Sequence, residues 1–172
     1  MVKHMISTVL VTALLALPSL LGASGDARSL RFYHTHTGKT LAVTYYQDGE
    51  YREEGMRDLR VFLADWRNGA QQDIDPYLMD ILWKIQLEAR HRNTYEVISA
   101  FRSPETNSML RGRSKGVAKN SQHIPGKAID VRLRGLETSQ LRDVALSLKL
   151  GGVGYYAKSD FVHVDTGRVR RW

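Results

Sequence analysis

The sequence predicts an α+β domain in which helices cover one side of a small, mainly antiparallel sheet. β-rich runs follow the N-terminal segment and recur near the end of the chain, with helical stripes of apolar residues between them. These strands and helices do not alternate as βαβ units, which argues against a parallel, doubly wound sheet. Because the chain has no cysteine, disulfides, thiolate zinc sites and cysteine nucleophiles are excluded.

The N-terminal segment has the pattern of a secretory signal peptide. A lysine close to the start precedes the largely apolar, uncharged run Met5–Leu21, and Ala23–Gly25 offers small residues for cleavage. A retained membrane anchor is the alternative. However, Pro18 interrupts the run, which is barely long enough to span a bilayer, and no second apolar segment follows. We therefore expect an exported protein that loses residues 1–25 and keeps residues 26–172 as a single domain, with membrane contact only through an uncleaved signal peptide.

The first predicted elements are a hairpin and two helices. Residues 30–46 contain two β-rich runs about a turn near Gly38. A helix ending at Asn68–Gly69 follows, because apolar residues recur at helical spacing at Leu59, Phe62, Leu63 and Trp66. Asp75–Pro76 then combines an N-cap residue with a proline in the first turn, which predicts a second helix that ends near Arg90–Arg92.

The second half of the chain predicts further strands and two shorter helices. Tyr95–Phe101 is a β-rich run, and residues 105–120 hold a short helix followed by a basic loop with glycines. Ala128–Leu133 is a second core strand, and Ser139 is the predicted cap of the last helix. Two short strands close the domain, at Gly152–Tyr156 and Phe161–Asp165.

Two histidines and one aspartate form a candidate metal site. His123 lies in a predicted loop, whereas Asp130 and His163 lie on strands that a small sheet could bring together. Two imidazoles and a carboxylate are a plausible ligand set for catalytic zinc, with the fourth position left for water. Spacing alone leaves another interpretation open, in which His123 is a surface loop residue and His163 is a hydrogen-bonded core residue.

Longer motifs around these residues resemble a known superfamily. The pattern Ser121-x-His123-x-x-Gly126-x-Ala128-x-Asp130, followed by Asp160-x-x-His163, is similar to the signature of zinc D-alanyl-D-alanine peptidases and VanX-type dipeptidases. Ser99–Ser103 resembles the Ser-Gly-Tyr-Arg-Ser segment that precedes this signature in the superfamily. The chain resembles the YcbK/MepK-like murein endopeptidases over nearly its whole length after the N-terminal segment, including Gly116–Lys119, Gly151–Tyr156 and Phe161–Gly167.

The resemblance implies a periplasmic enzyme with a hedgehog- and D-Ala-D-Ala-peptidase-like fold and a Zn²⁺ cofactor held by His123, Asp130 and His163. Its expected partner is the peptidoglycan stem peptide, in which it would hydrolyse amide bonds at cross-links. Bonds between two meso-diaminopimelate residues are suggested, with D-alanyl cross-links as the alternative. A D,D- or L,D-carboxypeptidase and a non-catalytic peptidoglycan-binding module remain as other functions. We expect a monomer. We expect no nucleic-acid partner, because export leaves the basic loop Arg111–Lys119 no such partner.

The general base has two candidates. In the superfamily a glutamate usually stands three residues before the last histidine ligand, and Asp160 has that position here. On a regular strand residues 160 and 163 would face opposite sides, so Asp160 needs a bend at Lys158–Ser159. Asp165 faces the same side as His163 and is the alternative, either as the base or as a support for the histidine. We favour Asp160 on its position in the motif.

Three further residues are candidates for contact with the substrate. Arg102 would stabilise the developing oxyanion or bind a stem carboxylate as a bidentate fork. Ser121 and Tyr155 are predicted to bind substrate near the metal. Tyr155 and its neighbour Tyr156 could line the cleft, with packing on the strand as the alternative for both. The basic loop Arg111–Lys119 could hold carboxylates of the cell wall or be an ordinary solvated loop.

Overall fold

The structure, a computed structural model, describes residues 26–114 and 116–172. The predicted signal peptide, residues 1–25, lies outside this part of the chain. No helix within the described residues is long and apolar enough to cross a membrane.

A single mixed sheet of eight strands organises the protein. The strands are β1 Arg28–His34, β2 Thr40–Gln47, β3 Glu50–Tyr51, β4 Tyr95–Ser99, β5 Ala128–Leu133, β6 Gly152–Tyr156, β7 Phe161–Asp165 and β8 Arg170–Arg171. Their order in the sheet is β3-β2-β1-β4-β5-β7-β6-β8. Only the β1–β4 and β6–β8 pairs are parallel, so the predicted α+β class with a mainly antiparallel sheet is confirmed.

Four helices accompany the sheet, namely α1 Glu53–Phe62, α2 Pro76–Glu88, α3 Pro104–Arg113 and α4 Thr138–Leu148. The predicted cap of α2 is confirmed, because the Asp75 carboxylate accepts a hydrogen bond of 3.0 Å from the backbone N–H of Tyr77. The cap of α4 differs from the prediction. Its N-cap is Glu137, which forms a capping box with Gln140, so Ser139 lies inside the helix.

The apolar core lies on one face of the sheet. Side chains of α1, α2 and α4 pack there in one buried cluster with Ile129 and Val131 of β5 and with Val162 and Val164 of β7. Successive side chains of a strand point to opposite faces, so Asp130, between two of these core residues, projects to the other face. Among the described residues, α3 adds no side chain to the apolar cluster. The sheet therefore separates the core from the face that carries the candidate ligands.

Besides the cap of α4, the structure differs from the sequence prediction in two places. The first helix ends at Phe62 rather than at Asn68–Gly69, because a tight turn follows in which the Asp65 backbone bonds with Ala70 and Gly69, at 2.9 Å and 2.7 Å. The strands β3 and β8 were not predicted. Each has only two residues, which is too short for an alternating pattern to show in the sequence.

Candidate metal centre and active site

Strand pairing places Asp130 and His163 side by side. They are direct partners in the antiparallel β5–β7 ladder, so both side chains project from the same face of the sheet. The Asp130 Oδ1 atom lies 2.8 Å from the Nδ1 atom of the His163 ring. The two predicted ligands that lie far apart in sequence are therefore neighbours in the structure.

His123 reaches the same point from a loop that is fixed at the end of β4. Its backbone carbonyl accepts a hydrogen bond of 3.2 Å from the N–H of Arg102, and its ring Nδ1 lies 2.7 Å from the carbonyl oxygen of Ala100. A carbonyl can only accept, so Nδ1 is the donor. The other ring nitrogen, Nε2, faces Asp130 Oδ1 at 3.3 Å. The loop can return to β5 because Gly126 adopts a φ of +71°.

The three side chains together offer two imidazole nitrogens and one carboxylate oxygen. These ligand atoms all lie within 4.8 Å of one another, and all three residues are buried. Two nitrogens and an oxygen, with room for a fourth ligand from the solvent side, match the donor set of a catalytic zinc site. The residues present therefore fit a metal ion of this class.

Asp165 lies behind His163 and fixes its orientation. Its Oδ2 atom is 3.0 Å from His163 Nε2 and 2.6 Å from Arg170, while Oδ1 accepts hydrogen bonds from the backbone of Gly167 and Gly152. The side chain is completely buried. A carboxylate that holds the outer nitrogen of a histidine leaves the inner nitrogen free for a metal and makes it more basic.

The electrostatics of these side chains favour a bound cation. Burial alone would raise the pKa of Asp130, but the adjacent imidazoles of His123 and His163 outweigh it and hold the pKa well below its usual range. Burial likewise opposes a charge on His163, yet hydrogen bonds to Asp130 and Asp165 raise its pKa. A metal ion held by His163 Nδ1 and Asp130 would take the place of the proton between them, while Asp165 would keep the proton on Nε2.

The cluster opens into a cavity of about 510 Å³. One wall is formed by Arg102 and by the segments that surround His123, and the other by the β6–β7 hairpin and the end of the chain. The lining residues are Arg102, Ser114, Gly116, Val117, Ala118, Asn120, Ser121, Gln122, His123, Asp130, Tyr156, Ser159, Phe161, His163, Arg170 and Trp172. A metal held by the cluster would therefore be reachable by a peptide in this cavity.

Arg102 presents a cation to the cavity with hydrogen-bonding capacity to spare. Its two terminal nitrogens are each 3.4 Å from their partners, Asn107 Oδ1 and Ser99 Oγ, so these hydrogen bonds are long. Among the described residues, its buried Nε has no hydrogen-bond partner. Burial lowers the pKa of Arg102 without removing the charge of a guanidinium. The side chain is thus able to bind an anionic group of a substrate.

The position of Arg102 depends on a buried carboxylate in the turn after α1. Asp65 accepts hydrogen bonds from the backbone N–H groups of Ser103 at 2.9 Å and of Arg67 at 3.1 Å. Burial alone raises the pKa of Asp65, but hydrogen bonds from Thr106 and these backbone groups outweigh it and lower the pKa. Ser103 also caps α3 through its hydroxyl, which accepts from the N–H of Thr106. The turn after α1 therefore holds the segment that carries Arg102.

The structure does not bring Asp160 to this cavity. The predicted bend before the residue is present, and Asp160 adopts a left-handed φ of +51°. Its carboxylate accepts a hydrogen bond of 2.7 Å from the Thr138 hydroxyl and pairs with Arg132 at 3.1 Å, and its backbone carbonyl also accepts from Arg132. It lines a separate depression at the start of α4.

Of the two other residues predicted to contact substrate, one lines the cavity and the other does not. Ser121 lines the cavity, and its hydroxyl accepts a hydrogen bond of 3.4 Å from the backbone N–H of His123. Tyr155 instead lies under the guanidinium of Arg142, outside the cavity, and its neighbour Tyr156 lines the cavity in its place. The alternation of side chains along β6 accounts for this difference.

Sequence reasoning missed Arg170 and Trp172, which complete the wall beside His163. Arg170 pairs with Asp165, and the Trp172 ring centre lies 5.2 Å from that of His163. The available signal was the pair of glycines on β6. A β-carbon on Gly154 would lie 2.6 Å from the Trp172 ring, so that position needs a residue without a side chain.

Comparison with known proteins identifies the family of this chain. A family model described as peptidoglycan L,D-endopeptidase MepK matches residues 22–172. Peptidoglycan L,D-endopeptidase MepK of Escherichia coli (strain K12) is 41% identical over 145 residues, which cover 84% of this chain and 80% of that protein. The probable peptidoglycan L,D-endopeptidase MepK of Haemophilus influenzae is 41% identical over 146 residues, covering 84% of this chain and 78% of that protein. No solved structure shows a significant match.

The family resemblance that was inferred from the motifs is thereby confirmed. The matched region contains every cavity-lining residue, from Arg102 to Trp172. The chain belongs to the peptidoglycan L,D-endopeptidase MepK family.

Proposed function

We propose that this protein is a zinc-dependent murein endopeptidase that hydrolyses amide bonds in peptidoglycan cross-links. The observation that carries the proposal is the buried group of His123, Asp130 and His163, whose ligand atoms converge at the floor of a cavity large enough for a peptide. Family membership supports the reaction class, and the relatives' name, L,D-endopeptidase, supports the bond between two meso-diaminopimelate residues as the target.

In this proposal His123, Asp130 and His163 hold the metal, and Asp165 fixes the His163 ring. When bound, zinc supplies a Lewis acid for the peptide carbonyl and lowers the pKa of water to about 7. Arg102 binds a carboxylate of the stem peptide or the oxyanion that develops during hydrolysis, since its two terminal nitrogens make only long hydrogen bonds of 3.4 Å within the protein. All five residues lie in the cavity or directly behind it.

The general base stays a prediction that mutation can test. Motif position favours Asp160, whereas hydrogen bonding ties its carboxylate to Thr138 and Arg132. Asp165 contacts His163 directly, but its two oxygens are already held by Arg170 and backbone N–H groups. An Asp160→Ala enzyme with near-normal turnover would remove Asp160 from the mechanism and leave it a role in the β6–β7 turn.

We also propose that residues 26–172 act as one zinc peptidase domain, as a monomer, in the periplasm. The peptidoglycan named in the family description supports a location at the cell wall. The apolar N-terminal segment supports export after cleavage near Gly25. N-terminal sequencing of the protein from a periplasmic fraction tests this, and recovery of an intact Met1 end would contradict it.

Digestion of purified sacculi tests the activity itself. The protein is incubated with sacculi in the presence of zinc or a chelator, and the muropeptides are identified by mass spectrometry. We expect cross-linked dimers to become monomers only with the metal, and a His123→Ala variant to be inactive because it loses one ligand. Shortened monomers would identify a carboxypeptidase instead, and an unchanged muropeptide profile in the presence of zinc would contradict hydrolysis.

A further inference from the structure

Tyr156 and Trp172 form a hydrogen-bonded aromatic pair on the wall of the cavity. The indole Nε1 of Trp172 donates a hydrogen bond of 2.9 Å to the Tyr156 hydroxyl. An indole N–H can only donate, so the phenolic oxygen is the acceptor and the phenol keeps its own proton for another partner. Within the described residues, no other side chain or backbone group bonds to this hydroxyl.

Packing holds this pair close to the candidate ligands. The Tyr156 ring stacks on Phe161, its strand partner, with ring centres 4.5 Å apart and planes 18° from parallel. The Trp172 ring centre lies 5.2 Å from that of His163, so a single indole bridges the ligand histidine and the phenol. Both aromatic rings line the cavity that contains His123 and Asp130.

Backbone hydrogen bonds also hold Trp172 in place. The Trp172 N–H donates to the carbonyl of Val153 at 3.3 Å, and its carbonyl accepts from the N–H of Tyr155 at 3.1 Å, so both sides of the residue are tied to β6. Gly154 lies between these two residues and lets the ring approach the strand. The phenol is therefore preorganised rather than free to swing.

The side chains that line the cavity include hydrogen-bond donors but few acceptors with a negative charge. Asp130 is the only carboxylate among its described lining residues, and it belongs to the metal group. Hydrolysis of an amide develops negative charge on the carbonyl oxygen, and fixed hydrogen-bond donors aimed at that oxygen lower the barrier. Arg102 and Tyr156 both line this cavity, and the side chains of both can donate a hydrogen bond.

We propose that Tyr156 is a catalytic residue whose O–H donates a hydrogen bond to the carbonyl oxygen of the scissile amide, and that Trp172 is its positioning residue. The inference rests on the proposed endopeptidase function. It assigns no proton transfer to the phenol. The hydroxyl stabilises charge in the transition state and contributes little to binding of the intact substrate.

A Tyr156→Phe variant tests the inference, with a defined cross-linked muropeptide dimer as substrate and the zinc-loaded full-length protein as enzyme. We expect kcat to fall on the order of 100-fold with KM unchanged, as for the loss of one oxyanion donor. Trp172→Phe, which keeps a ring but loses the N–H, should lower kcat in the same direction by less. Tyr77→Phe is the matched control, because Tyr77 is equally exposed but lies on α2, outside the cavity.

Two binding measurements separate catalysis from structure. A phosphinate analogue of the scissile bond should bind Tyr156→Phe more weakly by the factor lost in kcat/KM. Binding of the intact dimer to chelator-treated protein should be unchanged, and so should metal content. Wild-type kcat in Tyr156→Phe, or a lost kcat with unchanged phosphinate affinity, would overturn the inference while leaving the endopeptidase function intact. A wild-type protein that leaves the dimer uncut would overturn both.

Discussion

Replacement of Asp165 by asparagine is the most informative perturbation of the candidate metal centre. The carboxylate accepts hydrogen bonds from His163, from both terminal nitrogens of Arg170 and from the backbone of Gly152 and Gly167. Asparagine has the same shape but only one acceptor oxygen. Whichever way the amide turns, its NH₂ group faces at least two donors, namely His163 and Arg170, or Arg170 and the two glycines.

The size of the effect follows from this count. Losing two hydrogen bonds to a charged group, at about 1.5 kcal/mol each, lowers the free energy of unfolding by about 3 kcal/mol. For a domain of this length we expect a melting temperature lower by about 6–12 °C. The His163 ring also loses the acceptor that sets its orientation, which lowers metal affinity by about 10- to 100-fold.

Thermal denaturation of the chelator-treated protein measures the first effect, and competition titration with a chromogenic zinc chelator measures the second. Asp143→Asn is the matched control, because its carboxylate is exposed and, in the part of the chain that the structure describes, bonds only with Arg142. It should change neither quantity. If Asp165→Asn matched the wild type in both melting temperature and zinc affinity, the assigned role of Asp165 would be refuted.

Three further predictions concern the surroundings of the site. Because its folded pKa is lowered, Asp65 stabilises the fold above its unfolded pKa of about 3.9 and loses that contribution as the pH falls through the folded value. In urea unfolding at pH 7, Asp65→Asn should therefore have a free energy of unfolding about 1–3 kcal/mol below that of the wild type. Between pH 7 and pH 3, the free energy of unfolding should fall less in the variant than in the wild type. Gly126→Ala should lower the melting temperature more than Gly38→Ala, since both have positive φ but only at Gly126 would a β-carbon overlap a backbone atom, the Asp73 carbonyl oxygen. Zinc at 100 times its Kd should stabilise the protein by about 2.7 kcal/mol in denaturation experiments with and without chelator, and His123→Ala should abolish the difference.

Much of the fold could be predicted because its signals are local. Gly38 adopts the positive φ expected of the hairpin turn, and Asp75 with Pro76 begins α2 as its side-chain chemistry requires. The sequence predicts a longer first helix than the structure has, because the apolar spacing continues through Trp66 while α1 ends at Phe62. The hydrogen bonds that end the helix involve Asp65, whose carboxylate is bound by Ser103, a residue distant in sequence.

The candidate site also has parts that local sequence signals predict and parts that they do not. Spacing alone leaves the metal site at His123, Asp130 and His163 open, and the resemblance of the surrounding motifs, together with that of the segment carrying Arg102, predicts it. Candidate ligands can be proposed from sequence because few side-chain types bind zinc, and the structure brings these three within 4.8 Å of one another. The roles of the residues around the candidate ligands depend on the direction in which each side chain points. That direction depends on how the strands pair.

The sequence by itself therefore determined the fold class, the family and the three candidate ligands. Only the tertiary structure decided which neighbours face the cavity, because a turn and the alternation of a strand set the direction of each side chain. The turn places the Asp160 carboxylate against the Thr138 hydroxyl. The alternation along β6 places Tyr155 against Arg142 and Tyr156 in the cavity. Trp172 reaches His163 through the pairing of β8 with β6, a contact of chain segments that no local pattern encodes.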